Sequence, residues 1–316
     1  MKAVASVAAA IALLAGLPAA ANEPHACTMD ANDEAWLRTS IAAWRDTARR
    51  HLHLADNAMP PTVVFDKACV YNVPAGADPV QWTAAPHAEK VKLPDGTEIP
   101  AGIVSFARPS AQGTYFVMSL PSIWREKVKS ALGLERLMTA VLLHETSHTA
   151  QAKVLAPRLD ALPDDMSDDA LQEHFKGNAA YVADFTRERD LFMAAATAST
   201  DAEARRLGRD ALAAYRARRA KWFTGDEAKW ADIDDLFLSM EGLGQWTGYA
   251  WLIDPKGGRV PRDVALKEMR RGGKWWTQDE GIAVFLLVDR LVPGWQRRFF
   301  EAKPPSLESI LETAVR

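Results

Sequence analysis

The sequence predicts an α+β protein with a small N-terminal sheet region, a central helix carrying the pattern H-E-x-x-H, and a predominantly α-helical C-terminal half. Short β-prone runs broken by proline and glycine are confined to residues 60–120. From Pro121 onward strand signals almost vanish and apolar residues recur at helical spacing. The motif stands in the first of those helices.

Taken in chain order, residues 1–21 have the layout of a signal peptide. Lys2 gives a short positive start, Val4 to Leu17 form an apolar run, and Ala19-Ala20-Ala21 a small-residue cleavage site. The run is short for crossing a bilayer, and no later segment is long and apolar enough to do so. The expected location is therefore periplasmic or secreted. The two cysteines, Cys27 and Cys69, lie just beyond, and an oxidising compartment predicts a disulfide between them.

Asp33 to Leu54 carries Trp36, Ile41, Trp44 and Leu52 at helical spacing. The runs Thr62–Phe65, Val70–Val73 and Tyr115–Met118 read as strands, and Asp95-Gly96 predicts a hairpin turn. A helix from about Leu134 to Val154 follows through Leu137, Met138, Val141 and Leu142. Thr200 with Glu203 three residues on forms a capping box that starts a helix running through Arg218. Further helices are expected over about Ile233–Trp251, Arg262–Arg271, Asp279–Leu291 and Leu307–Val315, with Asp254-Pro255-Lys256-Gly257-Gly258 as a breaker. The chain divides into residues 22–133, a helix and sheet region, and 134–316, the motif helix with a helical subdomain. The two form one catalytic unit.

Without residues 1–21 the chain keeps 37 of its 38 basic side chains against 41 acidic ones, a balance that argues against nucleic acid as a partner. The arginine clusters Arg205-Arg206 and Arg216 to Arg219 read as a solvated helix face. The tryptophans read as packing residues rather than a carbohydrate platform.

The chemistry lies in Val141-Leu142-Leu143-His144-Glu145-Thr146-Ser147-His148-Thr149-Ala150. Residues four apart stand one turn above each other on a helix face, so both imidazoles can reach one metal ion. Glu145 sits beside the first histidine, where a general base can touch a metal-held water without binding the metal.

Through these residues the chain resembles the H-E-x-x-H zinc metallopeptidases, the zincins. Their motif helix packs under a small sheet whose edge strand binds substrate, and a helical half supplies the third ligand. No H-E-x-x-H-x-x-G-x-x-H extension follows His148, so the resemblance implies a carboxylate from a later helix, as in the gluzincin branch. Glu241 is the leading choice. It is an acid in an otherwise apolar helical stretch, where burial is costly without a metal or cation. Glu241-Gly242-Leu243-Gly244 also looks like the E-G-x-A element that provides the ligand in several zinc peptidase families, with Gly244 in place of alanine. That small residue would let two helices approach closely. Glu280, in Glu280-Gly281-Ile282-Ala283, fits the element more literally but falls at a predicted helix start, where acids serve as caps. Glu188 is flanked by Arg187 and Arg189, which favour a salt bridge.

Gln245 and Tyr249, one and two turns beyond Glu241, can both approach the site. Zincins of this branch commonly use a Tyr or His to stabilise the oxyanion, so the resemblance implies Tyr249 for that role, with Tyr181 and His174 as further options. The expectation is an exported hydrolase using Zn2+, with His144, His148 and Glu241 on the metal and Glu145 as base. Its substrate would be a peptide or protein. Hydrolysis of a non-peptide amide, or metal binding without turnover, are the other classes open to this sequence.

Overall fold

The structure is a computed structural model that describes residues 27–316 apart from 111–112 and 164–165. The expected signal peptide lies outside the described residues. Helix α1 (Ala31–Arg50) starts where Asp30 accepts hydrogen bonds from the backbone N–H groups of Asn32 and Asp33. It buries the predicted Trp36, Ile41 and Trp44.

Strands β1 (Thr62–Phe65) and β2 (Cys69–Val73) pair antiparallel, and β2 continues to β3 (Thr83–Pro86). The Asp95-Gly96 turn joins β4 (Lys90–Lys92) to β5 (Glu98–Pro100) in a separate hairpin. β6 (Ser105–Arg108) and β7 (Tyr115–Ser119) complete a five-stranded sheet of order β3-β2-β1-β7-β6, with only β1 and β7 parallel. The inner strands β1 and β7 are buried throughout, as their unbroken apolar runs require. That leaves β6 as an edge strand, and it lies against the motif helix.

After the short α2 (Pro121–Trp124), helix α3 (Leu134–Leu159) carries the H-E-x-x-H pattern and runs one turn past its expected end. The sequence signals missed α4 (Ala170–Phe175) and α5 (Ala179–Ala196). α6 (Asp201–Trp222) begins at the predicted capping box, with Thr200 Oγ accepting from the Glu203 N–H. α7 (Trp230–Ile253) is buried on all sides from Ile233 to Leu252 and packs against both α3 and α9 (Trp276–Leu291). α8 (Arg262–Arg270) and α10 (Leu307–Val315) end the helical half. None of the helices is long and apolar enough to cross a membrane among the described residues.

Cys27 and Cys69 are bonded, with Cα atoms 5.8 Å apart, and so tie the entry to α1 onto β2. A disulfide and the lack of a spanning helix are both compatible with export. By loop-closure entropy the bridge, which joins residues 42 apart, is worth about 4 kcal/mol. Reduction is therefore expected to lower the thermal midpoint by many degrees, read in a melt with and without reductant. An unchanged midpoint would show that the bridge restrains nothing.

The arginine-rich face of α6 is not wholly solvated. Arg218 is fully buried, where its guanidinium donates to Glu188 at 2.6 and 3.0 Å, to Asp234 and to the Tyr181 hydroxyl. A buried guanidinium with this many acceptors is an ion-pair hub. It fastens α6 to α5 and α7.

Candidate metal centre

α3 presents His144 and His148 on one face, with ring centroids 4.5 Å apart and planes nearly perpendicular. Both are buried, and their Nε2 atoms lie 2.9 Å from one another. α7 brings Glu241 to the same point. Its carboxylate oxygens stand 3.2 Å from His144 Nε2 and 3.1 Å from His148 Nε2. His144, His148 and Glu241 thus form a buried cluster able to hold a metal ion.

The crossing of the two helices depends on Gly244. A Cβ there would fall 2.8 Å from His144 Nδ1 and 2.9 Å from Cε1, closer than side-chain carbons pack. Helix α7 can approach α3 only because this position has no side chain. Gly244→Ala is expected to push the His144 ring aside and to weaken metal binding by at least about tenfold, the scale on which outer-shell changes act. Competition with a chromogenic chelator measures it; an affinity equal to that of the parent would mean that the ring is not fixed from this side.

The surroundings hold the donors in orientation. Gln151 Oε1 accepts from His148 Nδ1 at 3.1 Å, so the proton sits on that nitrogen and Nε2 is left to face Glu241. Gln278 donates to Glu241 Oε2 at 3.1 Å and is itself held by Gln245. Of the three acids buried in α7, Asp234 meets Arg218 and Arg219 and Asp235 meets Arg158, whereas Glu241 meets only the two histidines and Gln278. Among the described residues no lysine or arginine pairs with it.

Burial alone would raise the Glu241 carboxyl, but His148 and His144 outweigh it and hold the group well below the usual carboxylate range. Burial alone would lower His148, but the Glu241 carboxylate outweighs it and raises the imidazole to about 9. The cluster therefore calls for a positive charge at its centre, which a proton or a metal ion can supply.

Glu145 lies beside the cluster and is not one of its converging donors. It is half-buried, borders two cavities and has no hydrogen-bond or ion-pair partner among the described residues. One cavity, of about 610 Å³, is bordered by β6 through Ser105 to Ala107, by His144, Glu145 and His148, and by Met240 and Glu241. The other, about 370 Å³, shares His144, Glu145, Ser105, Asp168 and Gln278 with it and reaches Arg271 and Trp275. The two are parts of one cleft between the edge strand and the helical half.

Not every residue singled out from sequence reaches this cleft. Tyr249 borders neither cavity, and the charged groups beside its hydroxyl are Arg262 and Asp289. His174 pairs with Glu227 at 3.0 Å on the surface, and Tyr181 accepts from Arg218. Glu188 is paired with Arg218 rather than with its sequence neighbours. Glu280 is not a capping residue. α9 begins at Trp276, so Glu280 falls beyond the first turn and is fully buried. Burial and the Glu188 carboxylate push its carboxyl well above the usual range.

Gln151 beside His148, and the cleft residues Gln278, Asp168 and Arg271, escaped the sequence reading. Gln151 had a legible signal, three positions after His148 on the same helix. Asp168, on the loop before α4, is pushed up to about 7 by burial and then by the Glu241 carboxylate. Nothing in the spacing marks it. Arg271 follows α8 in the left-handed region, with φ of +48°, a conformation its neighbour Gly272 shares.

No family model, curated protein or solved structure matches the chain. The likeness to zincins thus rests on His144, Glu145 and His148, on Glu241, and on the edge strand beside them.

Proposed function

We propose that this protein is an exported zinc-dependent hydrolase that cleaves peptide bonds. The observation that carries the reading is the convergence of the two motif histidines and the one buried carboxylate of α7 that lacks a basic partner, beside a glutamate open to a cleft. Donors bound to a tetrahedral zinc at about 2.0–2.1 Å stand roughly 3.3 Å from each other. The spacings of 2.9 to 3.2 Å are close to that. A His-His-Glu set with an open side is also the ligand set of catalytic rather than structural zinc.

His144, His148 and Glu241 would hold the ion, with Gln151 fixing the His148 tautomer and Gln278 the carboxylate. When bound, zinc supplies a Lewis acid that polarises a water and the scissile carbonyl. Glu145 takes the proton from the attacking water and delivers it to the departing amine. Its carboxylate is free to do so, having no competing partner among the described residues. β6 offers the substrate an unpaired strand edge along the cleft, so an extended peptide can add to the sheet and lie across the metal. A strand edge suits a polypeptide better than a small amide, and this favours peptide bonds.

Zinc-loaded protein is expected to cleave a mixed peptide pool, to stop when 1,10-phenanthroline removes the metal, and to recover when zinc is returned. Cleavage that survives complete metal removal would sink the proposal.

A further inference from the structure

A third cavity opens off the cleft on the side away from His148. It has a volume of about 1080 Å³ and shares Ile103, Trp124, Arg271 and Trp275 with the pocket beside Glu145. Its floor is apolar, with Trp124, Val128 and Leu137, and its rim carries Lys129, Lys267, Arg271 and Lys274. None of these four cations makes an ion pair among the described residues.

The acids nearby do not cancel them. Asp279 is already held by Arg270 at 2.6 Å and by Arg189 at 3.4 Å. Glu268 accepts from the Ser130 hydroxyl at 2.5 Å, which leaves Asp263 as the unpartnered acid bordering this cavity, while Glu145 and Glu241 across the seam are the charged neighbours of Arg271. The opposite end of the cleft is different. There the walls are Leu162, Met166, Phe237 and Met240 with Asp160, and no lysine or arginine, while Asp168 borders both pockets. The cleft is thus basic on one side of the metal cluster and apolar to acidic on the other.

Arg271 stands at the seam, since it borders both the basic cavity and the pocket that contains Glu145. Its left-handed backbone is a conformation that favours glycine, and two glycines do follow it. An arginine kept there, although strained, aims a planar fork of donors into the cleft, and such a fork suits a carboxylate.

We propose that Arg271, with Lys129, Lys267 and Lys274 around it, forms a subsite for a carboxylate of the substrate next to the scissile bond, carried on an apolar segment that packs on Trp124 and Trp275. The carboxylate comes either from an acidic side chain or from the C-terminus of the peptide. This subsite rests on the peptidase reading above and gives that site its substrate class.

The test is binding to the zinc-loaded Glu145→Ala protein, in which turnover is removed. Four matched pools of N-acetylated octapeptides serve as probes, containing either Glu or Gln at one fixed position and ending in either a free or an amidated C-terminus. Retention on the immobilised protein is read by mass spectrometry. Pools with a carboxylate are expected to be retained at least about tenfold over the Gln, amidated pool, and the arm that differs tells side chain from terminus. Adding Arg271→Gln should remove most of that ratio. Arg271→Gly, which suits the left-handed backbone, should do the same and guards against a folding defect. Equal retention of all pools, no retention of any, or a ratio unchanged in both Arg271 variants would overturn the subsite. Failure of the parent protein to hydrolyse any peptide would sink the peptidase reading while leaving the binding result to stand or fall by itself. Cleavage with no preference for carboxylate peptides would sink the subsite alone.

Discussion

Glu241→Ala is expected to leave the purified protein almost free of zinc. The substitution removes one of three donors and the only negative charge in the cluster, since the two remaining imidazoles are neutral ligands. Outer-shell changes at zinc sites lower affinity by about 10–100-fold, and losing a direct donor should exceed that. Hydrolysis falls with the metal. Glu280→Gln is the matched control, because Glu280 is buried beside Glu188 and Arg218 and lies outside the metal cluster. It should keep full zinc. Metal content by atomic emission on both proteins reads the result, and full zinc in Glu241→Ala would remove that residue from the centre.

Glu145→Ala is expected to fail in the opposite way, with zinc near one per chain and turnover lost. Glu145 borders the cleft but lies outside the cluster of converging donors, so its removal takes away a proton carrier and no ligand. General acid–base groups contribute about 10²–10⁴-fold, and a loss of that size in kcat with little change in KM is anticipated. Steady-state kinetics on peptides cleaved by the parent measure it. Turnover within a few-fold of the parent would place the proton transfer on another group, and the half-buried Asp168 is a carboxyl that borders both parts of the cleft.

Much of the fold was legible because its signals are local. The Thr200–Glu203 capping box, the Asp95-Gly96 turn and the apolar spacing of α3 each act within a few residues, and the structure places all three as expected. β3 was missed because Thr83–Pro86 is exposed along its whole length and carries no apolar alternation. α5 had a legible signal that was overlooked, since Tyr181, Phe185, Phe192 and Ala195 recur at helical spacing and only Glu188, set against Arg218, breaks the apolar face. The same pairing explains why the arginine cluster on α6 is not a simple solvated face.

The metal cluster was legible for a different reason. An acid in a helix as apolar as α7 is costly to bury unless something positive meets it, and burial of that helix on all sides makes the cost real. Gly244 was legible with it, as the contact against His144 shows. The rest of the cleft was not. Tyr249 has the right helical spacing from Glu241, but its hydroxyl is set among Arg262 and Asp289 and it borders neither part of the cleft. Asp168 and Arg271 come from loops whose course is fixed by tertiary packing, so no spacing rule finds them.

The most direct test of a single zinc on His144, His148 and Glu241 is an anomalous difference map collected at the zinc edge from crystals of the metal-loaded protein. One peak is expected, within about 2.0–2.2 Å of both Nε2 atoms and a carboxylate oxygen of Glu241, with Glu145 outside that distance. A peak on other residues, or one that Glu145 ligates in place of Glu241, would contradict the account.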